Sequence, residues 1–186
     1  MNESRTTTSK MLALLRGINV GGKNKLPMKD LAAFFEAVGC TDVRTFIQSG
    51  NVVFRAPNNL IKTLPSLISK RIEKRFGYQI PVLIRTTKEL ATVIQNNPFP
   101  EGHPHANSLH VFFLADAPAV HSVAALDPNR SPGDSFIIRG REIYAIFPNG
   151  AGRSKLTNAY FDAKLSTTST ARNWRTIHTL FDLLNG

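Results

Sequence analysis

The chain has one cysteine in 186 residues, Cys40. An internal disulfide is therefore excluded, and the composition fits a reducing compartment, so a cytoplasmic protein is expected. No apolar run approaches the roughly 18 residues that a membrane span needs, and no membrane contact is expected. Residues 1–10 are polar and lack the apolar segment of a secretory signal, so they read as a disordered tail. Acidic residues are also scarce: 13 Asp and Glu stand against 23 Lys and Arg, for a net charge of +10. The imbalance lies in front, where residues 1–90 hold 15 Lys/Arg and 6 Asp/Glu, against 8 and 7 in residues 91–186. A basic front half points to an anionic partner, either a phosphorylated small molecule or a nucleic acid. The competing explanation is that Lys70, Arg71, Lys74 and Arg75 only solvate the outer face of one helix.

Several catalytic signatures are missing. Ser49 has no G-x-S-x-G elbow around it and no His or Asp at a telling distance, and Ser-Gly is what a tight turn wants. His103-x-His105 has neither a cysteine nor a third ligand at metal-site spacing. No metal, no cofactor and no particular reaction follow from these residues.

What is present is an α/β pattern. Met11–Arg16 reads as a buried strand, and Pro27 opens a helix whose Met28, Leu31, Phe35 and Val38 share a face until Gly39. Val43–Gln48 and Asn51–Arg55 read as strands joined at Ser49-Gly50. Leu60, Leu64, Leu67, Ile68, Ile72 and Phe76 keep helical spacing, with Pro65 kinking the helix or marking its start, and Ile80–Arg85 is the next strand. The order is β-α-β-β-α-β, the ferredoxin-like split unit. A similar order recurs. Thr86-x-x-Glu89 is a capping box, Leu109–Leu114 a strand, Pro118–Leu126 a short helix, and Phe136–Arg139 with Glu142–Phe147 a hairpin. Ser154 is expected to cap one helix, and Ser169 or Thr170 to cap the last, on which Trp174, Ile177, Phe181 and Leu184 align. The expected fold class is α+β, with two ferredoxin-like halves (residues 11–86 and 87–186, the second ending in the C-terminal helix) packed into one compact unit.

Three clusters combine glycine or a helix cap with basic residues, the chemistry of an anion site. The first runs from Arg16 through Asn19, Lys23 and Lys25. Its Gly17-x-x-x-x-Gly22-Lys23 has the spacing of a phosphate loop, but Asn24 stands where a Ser or Thr must bind magnesium, and Pro27 starts the helix late. The second is Gly150-x-Gly152-Arg153-Ser154-Lys155, and the third is Arg172-Asn173-Trp174-Arg175. Asn51 joins Asn19 and Asn173 as a candidate for orienting polar ligand groups. An RNA-recognition sheet would need aromatics exposed on its central strands. Leu12–Leu15 offers none and residues 50–54 only Phe54, while His110, Phe112 and Tyr144 of the second half could line one sheet face but are expected to pack against the other half.

Taken together, these blocks resemble the bacterial domain of unknown function numbered 1697. The resemblance rests on Leu14-Leu15-Arg16-Gly17-Ile18-Asn19-Val20-Gly21-Gly22-Lys23 and on Gly50-Asn51-Val52-Val53-Phe54. It continues through Asn97-Pro98-Phe99, Gly150-x-Gly152-x-Ser154-Lys155-Leu156 and Arg172-Asn173-Trp174-x-Thr176. It implies a fold of two ferredoxin-like halves and no established activity. The expected function is binding of a phosphate-bearing ligand where the three basic loops converge. The alternatives are non-catalytic nucleic-acid binding, and an interaction scaffold in which Arg16 or Arg172 only joins structural parts. The sequence fixes no oligomeric state.

Overall fold

In the computed structural model, which describes residues 8–99 and 108–186, alternating burial along the strands fixes which side of each sheet its helices cover. The chain runs β1 (Thr8–Leu15), α1 (Met28–Glu36), β2 (Thr41–Phe46), β3 (Asn51–Pro57), α2 (Asn58–Ile61), α3 (Leu64–Phe76) and β4 (Val82–Thr86). These strands form one antiparallel sheet in the order β2-β3-β1-β4, as the ferredoxin-like split requires. After α4 (Thr87–Gln95) come β5 (Leu109–Leu114), α5 (Val120–Ala124), β6 (Ser135–Arg139), β7 (Glu142–Ile146), α6 (Asn158–Leu165), β8 (Ser169–Asn173) and α7 (Trp174–Asn185). The second sheet, β6-β7-β5-β8, repeats the arrangement of the first. The fold is α+β with two ferredoxin-like halves. By internal contacts the described residues up to Leu90, together with Leu180–Gly186, form one unit, and the described residues between Ala91 and Thr179 the other.

In the first unit, Met11, Ala13 and Leu15 of β1 meet Val52, Phe54 and Ala56 of β3 on the face covered by α1 and α3. Leu31 and Phe35 come from α1, and Leu64, Ile68 and Ile72 from α3, at the i, i+4 spacing of one helical stripe. Burying each such side chain is worth about 1.5–3 kcal/mol. Pro65 marks the start of α3 rather than kinking it, because proline in the first turn removes no intrahelical bond. The opposite face of the same sheet is buried as well, through Leu12, Leu14, Val53 and Leu83.

In the second unit, Phe112, Leu114, Ile143, Ala145 and Phe147 pack with Phe161 and Leu165 of α6. The other face is closed too: Val111, Phe113, Tyr144 and Ile146 are each at most 2% exposed. The Tyr144 hydroxyl donates to the Val93 carbonyl of α4 at 2.8 Å, tying that helix to this face. The capping box forms as expected. The Glu89 N–H donates to Thr86 Oγ1 at 3.0 Å, and the Thr86 N–H to Glu89 Oε2 at 2.7 Å.

Some expectations change. β1 begins at Thr8, so Thr8–Lys10 belong to the sheet and not to a tail; residues 1–7 of that tail lie outside the described residues. Ser169–Asn173 is a strand, not a pair of helix caps, and its inward residues Ser169, Thr170 and Arg172 are polar, which hid it from hydropathy. The cap of α7 is Asn173, whose Oδ1 accepts the Thr176 N–H at 2.8 Å. Thr157 caps α6, while Ser154 Oγ accepts the Leu156 N–H at 2.9 Å one turn earlier. Phe112 and Tyr144 lie on opposite faces of the second sheet, because Tyr144 pairs with Val111.

Cys40 follows α1 and is 4% exposed. Burial pushes its thiol up to about 11. The unfolded chain therefore loses this proton first, and the thiol's contribution to stability, complete below its ordinary value near 9, disappears as pH rises towards 11. Native protein at pH 8 is expected to resist iodoacetamide until denatured, and Cys40→Ala to flatten the loss of stability between pH 9 and 11; mass spectrometry and denaturant melts at each pH check both.

Candidate functional site

The opening glycine loop starts where β1 ends. The Leu15 N–H donates to the Gly50 carbonyl at 2.8 Å. Gly50 has φ 75°, and a Cβ there would stand 2.6 Å from Leu15 Cβ and 2.9 Å from Ile18 Cδ1. Only glycine lets the β2–β3 turn sit against the end of β1. Beyond Ile18 the chain forms a tight turn, with the Lys23 N–H donating to the Val20 carbonyl at 3.0 Å. Gly21 and Gly22, at φ 57° and 75°, supply the paired positive φ of a type I′ turn.

Asparagines brace this loop. Asn19 Nδ2 donates to the carbonyls of Leu26 and Gln48, each at 2.9 Å, and its Oδ1 accepts the Leu26 N–H at 2.8 Å. Asn24 Nδ2 donates to the Gly17 carbonyl at 2.9 Å. Asn51, fully buried, donates to the Phe46 carbonyl at 3.1 Å and to Ser49 Oγ at 2.9 Å. The side chains that read as a polar cradle thus hold backbone to backbone. α1 begins only at Met28, five residues past Lys23, so no helix N-terminus stands behind the lysine. The charge that reaches solvent here comes from Lys23 and Lys25, both exposed; Arg16 is half-buried, with its N–H on the Pro81 carbonyl at 3.1 Å.

The second cluster has a different character. After β7 the chain passes Asn149 to Gly150 (φ 86°, ψ 137°), makes a 3₁₀ turn over Ala151–Arg153, and extends through Ser154. Facing it is the turn at Ser131–Asp134, where Ser131 Oγ donates to Asp134 Oδ2 at 2.6 Å and accepts the Lys155 N–H at 3.2 Å. Ser131, Asp134, Asn149, Gly150, Arg153 and Ser154 line an open, polar cavity of about 270 Å³. Arg153 is exposed, and its guanidinium has no hydrogen bond or ion pair among the described residues; Lys155 beside it is also exposed.

Arg172 does not line this cavity. It is 7% exposed on β8, and its Nη1 donates to Thr170 Oγ1 at 2.9 Å and to the Ala171 carbonyl at 2.7 Å. Desolvation lowers its guanidinium to about 10, which still leaves it charged at neutral pH. Asn173 is exposed but caps α7, and Trp174 is half-buried with its ring edge-on to His178 at 4.9 Å. Arg16, Asn19, Lys23, Lys25 and Asn51 belong to the first unit, and Arg153, Ser154, Lys155, Arg172 and Asn173 to the second. Sequence reasoning missed the Ser131, Asp134 and Asn149 walls of the cavity; Ser131-Pro132-Gly133-Asp134 was readable as a turn, but nothing local paired it with a loop fifteen residues on. Among the described residues no three His, Cys, Asp or Glu side chains group as metal ligands would, and no helix is long and apolar enough to cross a membrane. His103 and His105 lie outside the described residues.

A family model described as "Protein of unknown function (DUF1697)" matches residues 8–144, and the chain belongs to that family. Its structure is similar to that of a conserved bacterial protein from Streptococcus pneumoniae, with a TM-score of 0.73 at 20% identity. That likeness covers 96% of this chain and 99% of the other, and it concerns the fold. No curated protein matches the chain.

The bracing roles are measurable. Gly50→Ala is expected to destabilise by about 2–4 kcal/mol, through a disfavoured φ and overlap with Leu15. Asn19→Ala is expected to cost about 2–3 kcal/mol by stranding the Leu26 backbone groups. Urea melts of both variants without any ligand check this; unchanged midpoints would return Asn19 to the ligand-binding candidates.

Proposed function

We propose that this member of a family of unknown function binds a small phosphate-bearing ligand, with the Asn149–Lys155 loop of the second unit as its contact surface. The supporting observation is the uncommitted Arg153 guanidinium at a polar cavity of about 270 Å³. A planar guanidinium can hold two phosphate oxygens at once, and Lys155 adds a second positive charge next to it in the chain. Asp134 and Asn149 give the same cavity an acceptor and an amide for hydroxyl groups. A ligand with both a phosphate and hydroxyls, such as a sugar phosphate or a nucleotide, uses all of them. In this reading Arg153, Ser154 and Lys155 touch the ligand, while Asn19, Asn51, Asn173 and Arg172 hold the scaffold. Lys23 and Lys25 add positive field to the first unit.

A second reading, nucleic-acid binding without catalysis, draws on α3. Its exposed side carries Lys70 with Lys74 and Arg71 with Arg75, like charges four residues apart that weaken a helix on their own account. An RNA-recognition platform is not part of this reading, because the central strands β1 and β3, which would carry the stacking aromatics, are buried on both faces over Met11–Leu15 and Asn51–Phe54. Any nucleic-acid contact runs through phosphates and is steeply salt-dependent.

One screen separates the two. Thermal shifts against sugar phosphates, nucleotides and an oligonucleotide, at two salt concentrations, are expected to show a small-ligand hit stabilising by about 2.7 kcal/mol at a hundredfold excess over Kd. Arg153→Ala is expected to abolish that shift without lowering the unliganded Tm. The same shift in Arg153→Ala overturns the proposal, and a response confined to the oligonucleotide at low salt moves the assignment to α3.

A further inference from the structure

A separate cluster of cations lies on the first sheet, on the face opposite α1 and α3. Lys10 of β1 is directly paired with Arg55 of β3, and Arg44 of β2 with Val53, the neighbouring residue of β3 on the same side. Like charges directly opposed on antiparallel strands are destabilising. One acidic side chain pairs with them: Asp42 Oδ2 stands 3.1 Å from Arg55 Nε. Asp42 sits where the β2–β3 register shifts between Thr41 and Arg44, and it takes φ 50° there. Because Asp42 engages Nε, the terminal Nη groups of Arg55 have no partner among the described residues, nor do the Lys10 ammonium and the Arg44 guanidinium.

These side chains do not simply fan into solvent. With Val53, Leu183 and Gly186 they line a cavity of about 130 Å³. Its floor is apolar, since Val53 is 1% exposed, and a low-dielectric floor strengthens the field of the charges above it. Two guanidinium forks and an ammonium still outnumber the two carboxylates at this spot, that of Asp42 and the terminal one of Gly186.

We infer that this cavity is an anion site distinct from the one lined by Arg153, and that its occupant is a compact tetrahedral dianion, the phosphate group of a monoester or of inorganic phosphate. Arg44 and the Nη edge of Arg55 supply paired N–H donors, and Lys10 supplies a point charge. Asp42 fixes the Arg55 plane from its far side. A bound dianion turns the repulsion between Lys10 and Arg55 into shared attraction.

The test is calorimetric titration of inorganic phosphate at constant ionic strength in the Arg153→Ala protein, so that the second unit's cavity cannot supply the signal. Saturable binding is expected, and Arg44→Gln and Lys10→Gln are each expected to weaken it about tenfold or more. In phosphate-free buffer the same variants are expected to melt at or above the parent's Tm, because each removes a like-charge neighbour. Absence of saturable binding, unchanged affinity in Arg44→Gln, or a lower phosphate-free Tm in both variants overturns the inference.

Discussion

The two central strands of each four-stranded sheet are buried on both faces, and most of this molecule's chemistry follows from that constraint. β1 shows it plainly: Met11, Ala13 and Leu15 on one side, Leu12 and Leu14 on the other, none more than 2% exposed. A strand enclosed on both sides must be apolar throughout, so it reads as a continuous hydrophobic run rather than an alternation. Polar function is pushed to strand ends, turns and sheet corners. The loop after β1, the Ser131–Asp134 and Asn149–Ser154 turns, and the corner at Lys10, Arg44 and Arg55 all lie in such places. The buried faces also remove the surface on which a ferredoxin-like sheet would stack bases.

Elements whose burial follows a simple period were legible. The stripes of α1 and α3, the hairpin of β2 and β3, and the capping box at Thr86 all came from residue spacing, because one helix face or one turn geometry dictated the residue types. β8 was not legible. Its inward side chains are Ser169, Thr170 and Arg172, satisfied by hydrogen bonds rather than by apolar contact, so a hydropathy pattern has nothing to register. Its identity as a strand depends on pairing with β5, some sixty residues earlier, which no local window contains.

The candidate site was legible only as a set of residue types. Glycine, asparagine and a base in sequence describe both an anion cradle and a braced turn, since each needs positive φ and side chains that bond to backbone. Geometry separates them. Around Asn19 the donors and acceptors point inward and meet Leu26 and Gln48. Around Arg153 the turn's glycines leave a guanidinium facing an open cavity. The same composition therefore yields a structural loop in one unit and a binding candidate in the other.

Arg85 and Arg172 carry the argument one step further. Each is the fourth residue of the last strand of its sheet, pairing with Leu12 of β1 and Val111 of β5 respectively. Each is buried, at 1% and 7% exposure, and each donates an Nη1 hydrogen bond to the carbonyl of the residue before it, Ile84 and Ala171. A buried guanidinium is costly unless its donors are met, so two at equivalent positions are not an accident of composition. No repeat is visible in the residues around them, yet the two sheets share strand order, pairing and this polar element inside otherwise apolar strands. The equivalence thus lies in position and hydrogen bonding rather than in sequence. It makes these arginines part of how each sheet is built rather than free cations at its surface.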